Sequence, residues 1–242
     1  MRPTFHILTV CVNYADLLRR ALPTWQSWSE HIAVITTSVD AETRTLCNVH
    51  GVTCAINNNF YHDGCVFDKG FVLAEELQWW RDNLPWFGKP GHWILHLDAD
   101  LLLPHRCTIE PQLAHLDREK LYGCKRWLCD TWEQYQAFQD GRRDGIFLQD
   151  PIKRTREVWG YFQLGESKRW AQVCPEMYLT NRDASKCDVY TARRWGYANQ
   201  ALIHGLEAVH LGKTFTNHKG RVTPAFGPTN SKAREVYSHV SS

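Results

Sequence analysis

Trp93-Ile94-Leu95-His96-Leu97-Asp98-Ala99-Asp100-Leu101-Leu102-Leu103 decides how this chain is read. An apolar run leads into two acids one residue apart, and three leucines follow before Pro104. Such a run reads as a strand buried on both faces, and the expectation is one strand over 93–103. Side chains alternate along a strand, so His96, Asp98 and Asp100 point together. Two carboxylates held side by side repel, and each is costly to bury unpaired. A cation between them removes both penalties, and hard Mn²⁺ or Mg²⁺ suits oxygen ligands and a diphosphate. In open α/β sheets, ligands bind at the carboxyl ends of strands, where this pair would stand. The alternative is a solvated turn that carries two acids.

The segments before it alternate in type. Thr4–Val12 reads as a strand, and Tyr14–Trp28 as a helix with Leu17, Leu18, Ala21, Leu22, Trp25 and Trp28 on one face and Pro23 as a kink or end. His31–Thr37 is a second strand, Ala41–Val49 a second helix, Val52–Asn57 a third strand and Phe71–Trp80 a third helix. Strands alternating with helices predict a parallel, Rossmann-like sheet flanked by helices. Residues 1–104 then form a nucleotide-binding half, and residues 105–242 an acceptor-facing half of the same domain. The stretch from Arg221 is polar and reads as a tail or surface cover.

The 242 residues are 43% hydrophobic and 22% charged, the balance of a globular protein rather than a disordered or fibrous one. A chain of this length buries roughly 75 % of its unfolded surface and needs neither disulfides nor metals to fold. No run of eighteen apolar residues is present, so no membrane span is expected. The N-terminal run lacks a long apolar region and a cleavage site and reads as a buried strand, not a signal peptide. The nine cysteines are scattered without a CxxC pair, which argues against a zinc cluster or disulfide scaffold and for a reducing cytoplasm.

Several stretches share an order with a known family. Asp98-Ala99-Asp100 resembles the DxD motif of GT-A-fold glycosyltransferases, of the family-2-like kind found in bacteria and their phages. Val10-Cys11-Val12-Asn13-Tyr14 resembles their first strand and its nucleotide-facing loop. Ala33 to Asp40 resembles the second strand with its base- or ribose-binding acid, and Phe67-Asp68-Lys69-Gly70 the step before the helix beneath the donor. Gly160-Tyr161-Phe162-Gln163-Leu164 resembles a motif of the second half. Ala208-Val209-His210-Leu211-Gly212, with Asn217 and Gly220-Arg221, resembles the late His-Leu-Gly segment.

The resemblance implies a GT-A fold and a metal-dependent transferase with a nucleotide-sugar donor, a UDP-sugar by family habit, and Mn²⁺ or Mg²⁺. It makes Asp100 a direct metal ligand, Asp98 a ribose or metal-water contact, and His210 the third ligand. Val12, Tyr14, Asp40, Lys69, Tyr161 and Gln163 fall on its donor-binding positions. Each has a plainer reading: His210 as a core histidine, Asp40 as a helix N-cap, Tyr14 as a helix-start turn, Lys69 as a surface lysine. An inverting reaction needs a general base. Asp188 is the candidate, with Asp183 and Glu166 as competitors and a helix cap as its alternative role; a retaining reaction needs none.

In the second half, basic pairs such as Lys125-Arg126, Arg142-Arg143 and Arg193-Arg194 interleave with Trp127, Trp132, Trp159 and Trp195. That mixture suits a nucleic-acid backbone with exposed bases, including a hydroxymethylated base in phage DNA, and it suits sugar rings of a glycan equally. The near-neutral balance of 28 basic and 26 acidic residues weakens the DNA case. Two other classes remain. A phosphoester hydrolase would gather His92, His96, Asp98, Asp100 and His105 around a metal, and a non-catalytic nucleic-acid module would not need the acids. A sugar-nucleotide pyrophosphorylase is discounted, because the loop after the first strand lacks glycine.

Overall fold

A computed structural model of the chain describes residues 4–108, 110–155, 157–173, 184, 187–213, 217 and 219–227. In chain order the elements begin β1 (Thr4–Val10), α1 (Ala15–Trp25), β2 (His31–Thr36), α2 (Ala41–His50), β3 (Thr53–Ile56), α3 (Lys69–Asn83), β4 (His92–Leu97) and β5 (Leu101–Leu102). They continue with α4 (Glu110–Leu113), β6 (Leu121–Cys129), α5 (Trp132–Gln139), β7 (Phe147–Gln149), α6 (Pro151–Thr155), β8 (Phe162–Glu166), α7 (Ser167–Val173), α8 (Cys187–Trp195) and β9 (Gln200–Leu211).

One nine-stranded sheet runs in the order β3-β2-β1-β4-β8-β6-β9-β5, with β7 on β6. The parallel core that the sequence predicts is its first part: β3, β2, β1 and β4 all run the same way. Beyond β4 the sheet is mixed, with β8 antiparallel to both β4 and β6 and β9 parallel to β6. The strand pleat divides the core in two. Phe5, Ile7, Trp93 and Leu95 pack with Leu18, Leu22 and Trp25 of α1 on one face. Leu8, Val10, Ile35 and Ile94 pack with Val72, Leu77, Trp170 and Trp195 on the other.

Element limits follow local chemistry. Helix α2 starts at Asp40, whose carboxylate accepts from the Thr43 N–H, and stops at Gly51, whose φ of 65° is left-handed. Helix α1 carries Pro23 inside its last turn and ends at Trp25, three residues before the predicted limit. The strand expected over 93–103 is broken. Leu97 ends β4, Asp98–Asp100 form a turn closed by the Leu101 N–H on the Asp98 carbonyl (3.2 Å), and β5 joins β9 instead. Repulsion between neighbouring acids is lower in a turn, where the two side chains need not lie side by side.

That break is held from below by α1. The Trp25 indole N–H donates to the Leu101 carbonyl (2.7 Å), the Trp28 indole to the Pro104 carbonyl (2.7 Å), and the Leu103 N–H to Thr24 Oγ1 (3.1 Å). Both indoles are fully buried, so a carbonyl robbed of its donor finds no water. Trp25→Phe is expected to cost about 1–3 kcal/mol of stability. Urea denaturation checks this, and an unchanged midpoint would contradict it.

Candidate active site

The sheet order reverses around β1. Strands β2 and β3 step away on one side, and the chain returns through α3 to place β4 on the other. A crevice opens at such a switch point, outside the carboxyl ends of the two central strands. The loop after β1 (residues 11–14) and the Asp98–Asp100 turn after β4 stand at those carboxyl ends, where the topology places such a crevice.

The first loop is clamped. Asn13 has φ 59°, a left-handed conformation that Asn tolerates, and its N–H donates to Asp40 Oδ2 (2.7 Å). Asp40 is buried, and the same oxygen accepts from Thr36 Oγ1 (3.1 Å) while Oδ1 caps α2. Asp40 therefore stands directly beneath the loop. Val12 is buried against the α3 face of the core. Tyr14 stands at the N-cap of α1; its hydroxyl is held far above the usual tyrosine range by burial and by the charge of Asp100, against the pull of Arg221.

Arg221 ties the late segment to this loop. Its guanidinium binds both carboxylate oxygens of Asp16, donates to the Asn13 carbonyl (2.9 Å) and lies 4.8 Å from the Tyr14 ring centroid. The Phe226 N–H reaches Asp16 as well (2.5 Å), and its ring packs on Trp132 and Tyr135. The polar stretch read as a tail or cover is thus docked on α1 as far as residue 227.

At the turn, the Asp98 N–H donates to the Tyr161 carbonyl (3.1 Å), and Asp98 Oδ1 accepts from Lys69 Nζ at 2.6 Å. Lys69 is a buried cation at the first position of α3. Burial pushes the Asp98 carboxyl up, but the Lys69 charge and hydrogen bond outweigh it and hold the group below the usual range. Asp100 has the opposite fate. Burial and the Asp98 charge raise it to about 7, and its Oδ1 makes no hydrogen bond. His210, across the β5–β9 pairing, places Nε2 3.5 Å from that oxygen. Burial and the charge of Arg126 lower His210 to about 3, so its imidazole is neutral.

A half-buried acid with one oxygen unbonded, beside a neutral imidazole, is a donor set that fits a divalent cation. The fit rests on Asp100 and His210. Asp98 is engaged by Lys69, and Asp98, Asp100 and His210 do not bring three ligand atoms within 4.8 Å of one another. Beneath them, buried Arg126 donates to Gln149 (2.9 Å) and stacks 4.0 Å from the Tyr161 ring centroid. The Tyr161 hydroxyl in turn donates to the Cys124 carbonyl (2.5 Å). Gln163 pairs in register with His96, its Oε1 3.5 Å from His96 Nδ1.

Arg126 is a site residue that the sequence reading left on the surface with Lys125. Strand alternation carries the signal: Lys125 faces Asp150 at 3.9 Å, and its neighbour turns inward. Other predicted groups do not gather here. Asp188 falls on α8 with its side chain outside the described residues, and Asp183 lies outside them altogether. Glu166 pairs in register with Trp93, five residues before Asp98 and about 16 Å away along the strand, and accepts from the Gly91 N–H. Of the five groups a hydrolase would gather, His92 faces His6 (3.1 Å) at the start of β4 and His105 faces Cys107 (2.9 Å).

The basic pairs are mostly engaged within the chain. Arg142 bonds Asp140, Arg143 stacks on Phe138 and Trp127, and Arg193 bonds Glu157. No helix among the described residues is long and apolar enough to cross a membrane.

Fold and site together define an α/β protein with two acids at the carboxyl end of its sheet's switch point. No protein-family model matches the chain, and no curated protein does. Among solved structures it is similar to glucosyl-3-phosphoglycerate synthase from Mycobacterium tuberculosis. With phosphoglyceric acid bound, that enzyme shares 11% identity over 92% of this chain and 73% of its own, at a TM-score of 0.46. The complex with Mn²⁺, UDP-glucose and phosphoglyceric acid gives 11%, 92%, 73% and 0.47. A further structure of the synthase gives 12%, 88%, 73% and 0.43.

The raised Asp100 carboxyl has a measurable consequence. Between about pH 4 and about pH 7 the native state binds a proton here that the unfolded chain releases, so this group's stabilising contribution is lost as pH rises through that window. Asp100→Asn removes the contribution. The stability difference between Asp100→Asn and the unaltered protein should therefore shift in favour of the variant as pH rises from 4 to 7, read by urea midpoints. A pH-independent difference would refute the assignment.

Proposed function

We propose that this chain is a metal-dependent glycosyltransferase that moves a sugar from a nucleotide sugar, a UDP-sugar by the sequence resemblance, to an acceptor hydroxyl. One observation carries the reading: Asp100, whose side chain is only 15% exposed, stands at the carboxyl end of the central strands with its Oδ1 unbonded, beside a neutral His210. A Mn²⁺ or Mg²⁺ ion held by Asp100 and His210 would supply positive charge where the diphosphate leaving group gains negative charge.

The chain's own groups complete the task. Lys69 and Arg126 are buried cations whose charges both reach Asp100, suited to a diphosphate as it departs. Asp98, held by Lys69, faces the crevice with its part-exposed carboxylate, placed to accept from a ribose hydroxyl. The loop clamped by Asp40 presents Tyr14 for the base, and Arg221 fixes that loop from outside. Tyr161 and Gln163 act from beneath the turn, through the Asp98 N–H and the His96 ring. Asp188 remains the proposed base of an inverting reaction. Internal pairing of the basic residues favours a glycan or other small hydroxyl acceptor over a hydroxymethylated base in phage DNA.

A thermal-shift panel tests the donor site. UDP with Mn²⁺ should raise the melting temperature more than either alone, since each stabilises only the folded state it binds. A panel of nucleoside diphosphates that shifts nothing would sink the reading. Asp100→Ala should lower release of UDP from the active donor at least about 100-fold while the protein stays folded. Unimpaired turnover in that variant would remove the metal from the mechanism.

A further inference from the structure

A second cluster of donors lies before α3. His62, Cys65 and Asp68 stand three residues apart in the stretch His62-Asp63-Gly64-Cys65-Val66-Phe67-Asp68. Asp63 and Gly64 both adopt left-handed φ, 47° and 73°, which turns the chain back so that His62 and Cys65 converge. The turn is closed by the Cys65 N–H on the His62 carbonyl (2.8 Å) and by the Asp68 N–H on the Phe60 carbonyl (2.7 Å). Beneath it Phe60 and Phe67 stack at 5.1 Å, nearly parallel.

His62 Nε2 is 3.3 Å from Asp68 Oδ2 and 3.9 Å from Cys65 Sγ, and the three donor atoms lie within 4.8 Å of one another. Zinc–ligand bonds of about 2.0–2.3 Å make tetrahedral edges of about 3.3–3.8 Å; the two separations from His62 Nε2 fall at these edges, and the third lies within 4.8 Å. Each ligand is also supported as metal ligands are. Asp68 gives Oδ1 to the Phe71 N–H (2.9 Å) as the α3 cap, leaving Oδ2 for the cluster. His62 Nδ1 faces Asp63 Oδ2 at 3.3 Å. A proton held there leaves the Nε2 lone pair toward Cys65 and Asp68. The Phe71 ring packs 4.2 Å from the imidazole, and Cys65 and Asp68 are buried.

We propose that His62, Cys65 and Asp68 form a second metal site, for Zn²⁺ or an ion of similar softness. Thiolate and imidazole select such an ion, whereas Asp98 and Asp100 offer oxygen for a harder one. No fourth His, Cys, Asp or Glu among the described residues joins the group, so water completes the tetrahedron. An ion there clamps the turn onto the first residues of α3, one position from Lys69. The site is independent of the crevice, where the proposed ligands include no thiol.

Co²⁺ added to the reduced, metal-free full chain is the test, because cobalt bound by a thiolate gives a near-ultraviolet charge-transfer band that an oxygen and nitrogen site does not. The expected result is a band that saturates at one equivalent and is displaced by Zn²⁺. Cys65→Ser abolishes it. Asp68→Asn, which keeps a capping side chain, and His62→Gln each weaken Co²⁺ binding at least about 10-fold. Cys107→Ser, at the His105 contact, leaves the band unchanged. Absence of a thiolate band in the unaltered protein, or a band that survives Cys65→Ser and His62→Gln, overturns the proposal. Both outcomes are independent of whether UDP and Mn²⁺ bind.

Discussion

The contact between Lys69 and Asp98, 2.6 Å long, is the constraint on which the crevice depends. Two acids one residue apart at the end of a buried strand are mutually repulsive, and taking them from water adds a further cost. The fold meets this by bringing a cation to one acid and leaving the other raised toward neutrality. That division requires α3 to begin where it does. Asp68 caps the helix and Lys69 follows at its first position; a start one residue later would swing the ammonium away from Asp98 by about 100° around the helix. Gly70 fits the same demand, because a Cβ there would meet the Cys187 Cβ at 2.9 Å.

The turn itself is positioned from several directions. From one face Trp25, Trp28 and Thr24 hold residues 101–104. From β8 the Tyr161 carbonyl takes the Asp98 N–H, and from β9 the Leu211 N–H donates to the Asp100 carbonyl (2.9 Å). The last bond matters for chemistry, since Leu211 follows His210 directly. The register that satisfies the Asp100 carbonyl also carries the imidazole to its carboxylate. On the other side of the crevice, Asp40, Asp16 and Arg221 fix the loop after β1 through buried or part-buried carboxylates. Both rims are therefore rigid, which suits a site that must hold charge in place.

Much of this was legible in the sequence, for identifiable reasons. The first elements carry clear local signals: β1 and β2 are short continuous apolar runs, and α1 shows the 3.6-residue repeat. Their helices end at recognisable chemistry such as Asp40 and Gly51. The break after Leu97 was not legible, because Leu101 to Leu103 continue the apolar pattern and hydropathy does not record which strand pairs with which. Arg126 was hidden for a related reason: next to Lys125 it looks like a surface pair, and only the alternation of β6 separates one from the other. The turn at His62 to Asp68 escaped because cysteine spacing was weighed alone, whereas its donors are of three kinds. Asp100 and His210, 110 positions apart, came from motif order rather than from any local pattern.

The topology by itself would suit many ligands, since a crevice at a switch point is common to open α/β sheets. What narrows the reading is the arrangement of charge. Lys69 and Arg126 favour an anion, while Asp100 and His210 offer ligands to a cation. A plain anion leaves the acid unsatisfied, and a bare cation adds to the positive charge of the two buried bases. A diphosphate that arrives with its own divalent ion answers both halves together, and the buried setting makes each term larger than it would be in water. A module that only held a nucleic-acid backbone would gain nothing from Asp100, whose partial burial next to Asp98 costs stability at neutral pH without improving contact to phosphate. A ligand that carries charge of both signs offsets that electrostatic expense, and the metal-bound nucleotide sugar we propose is such a ligand.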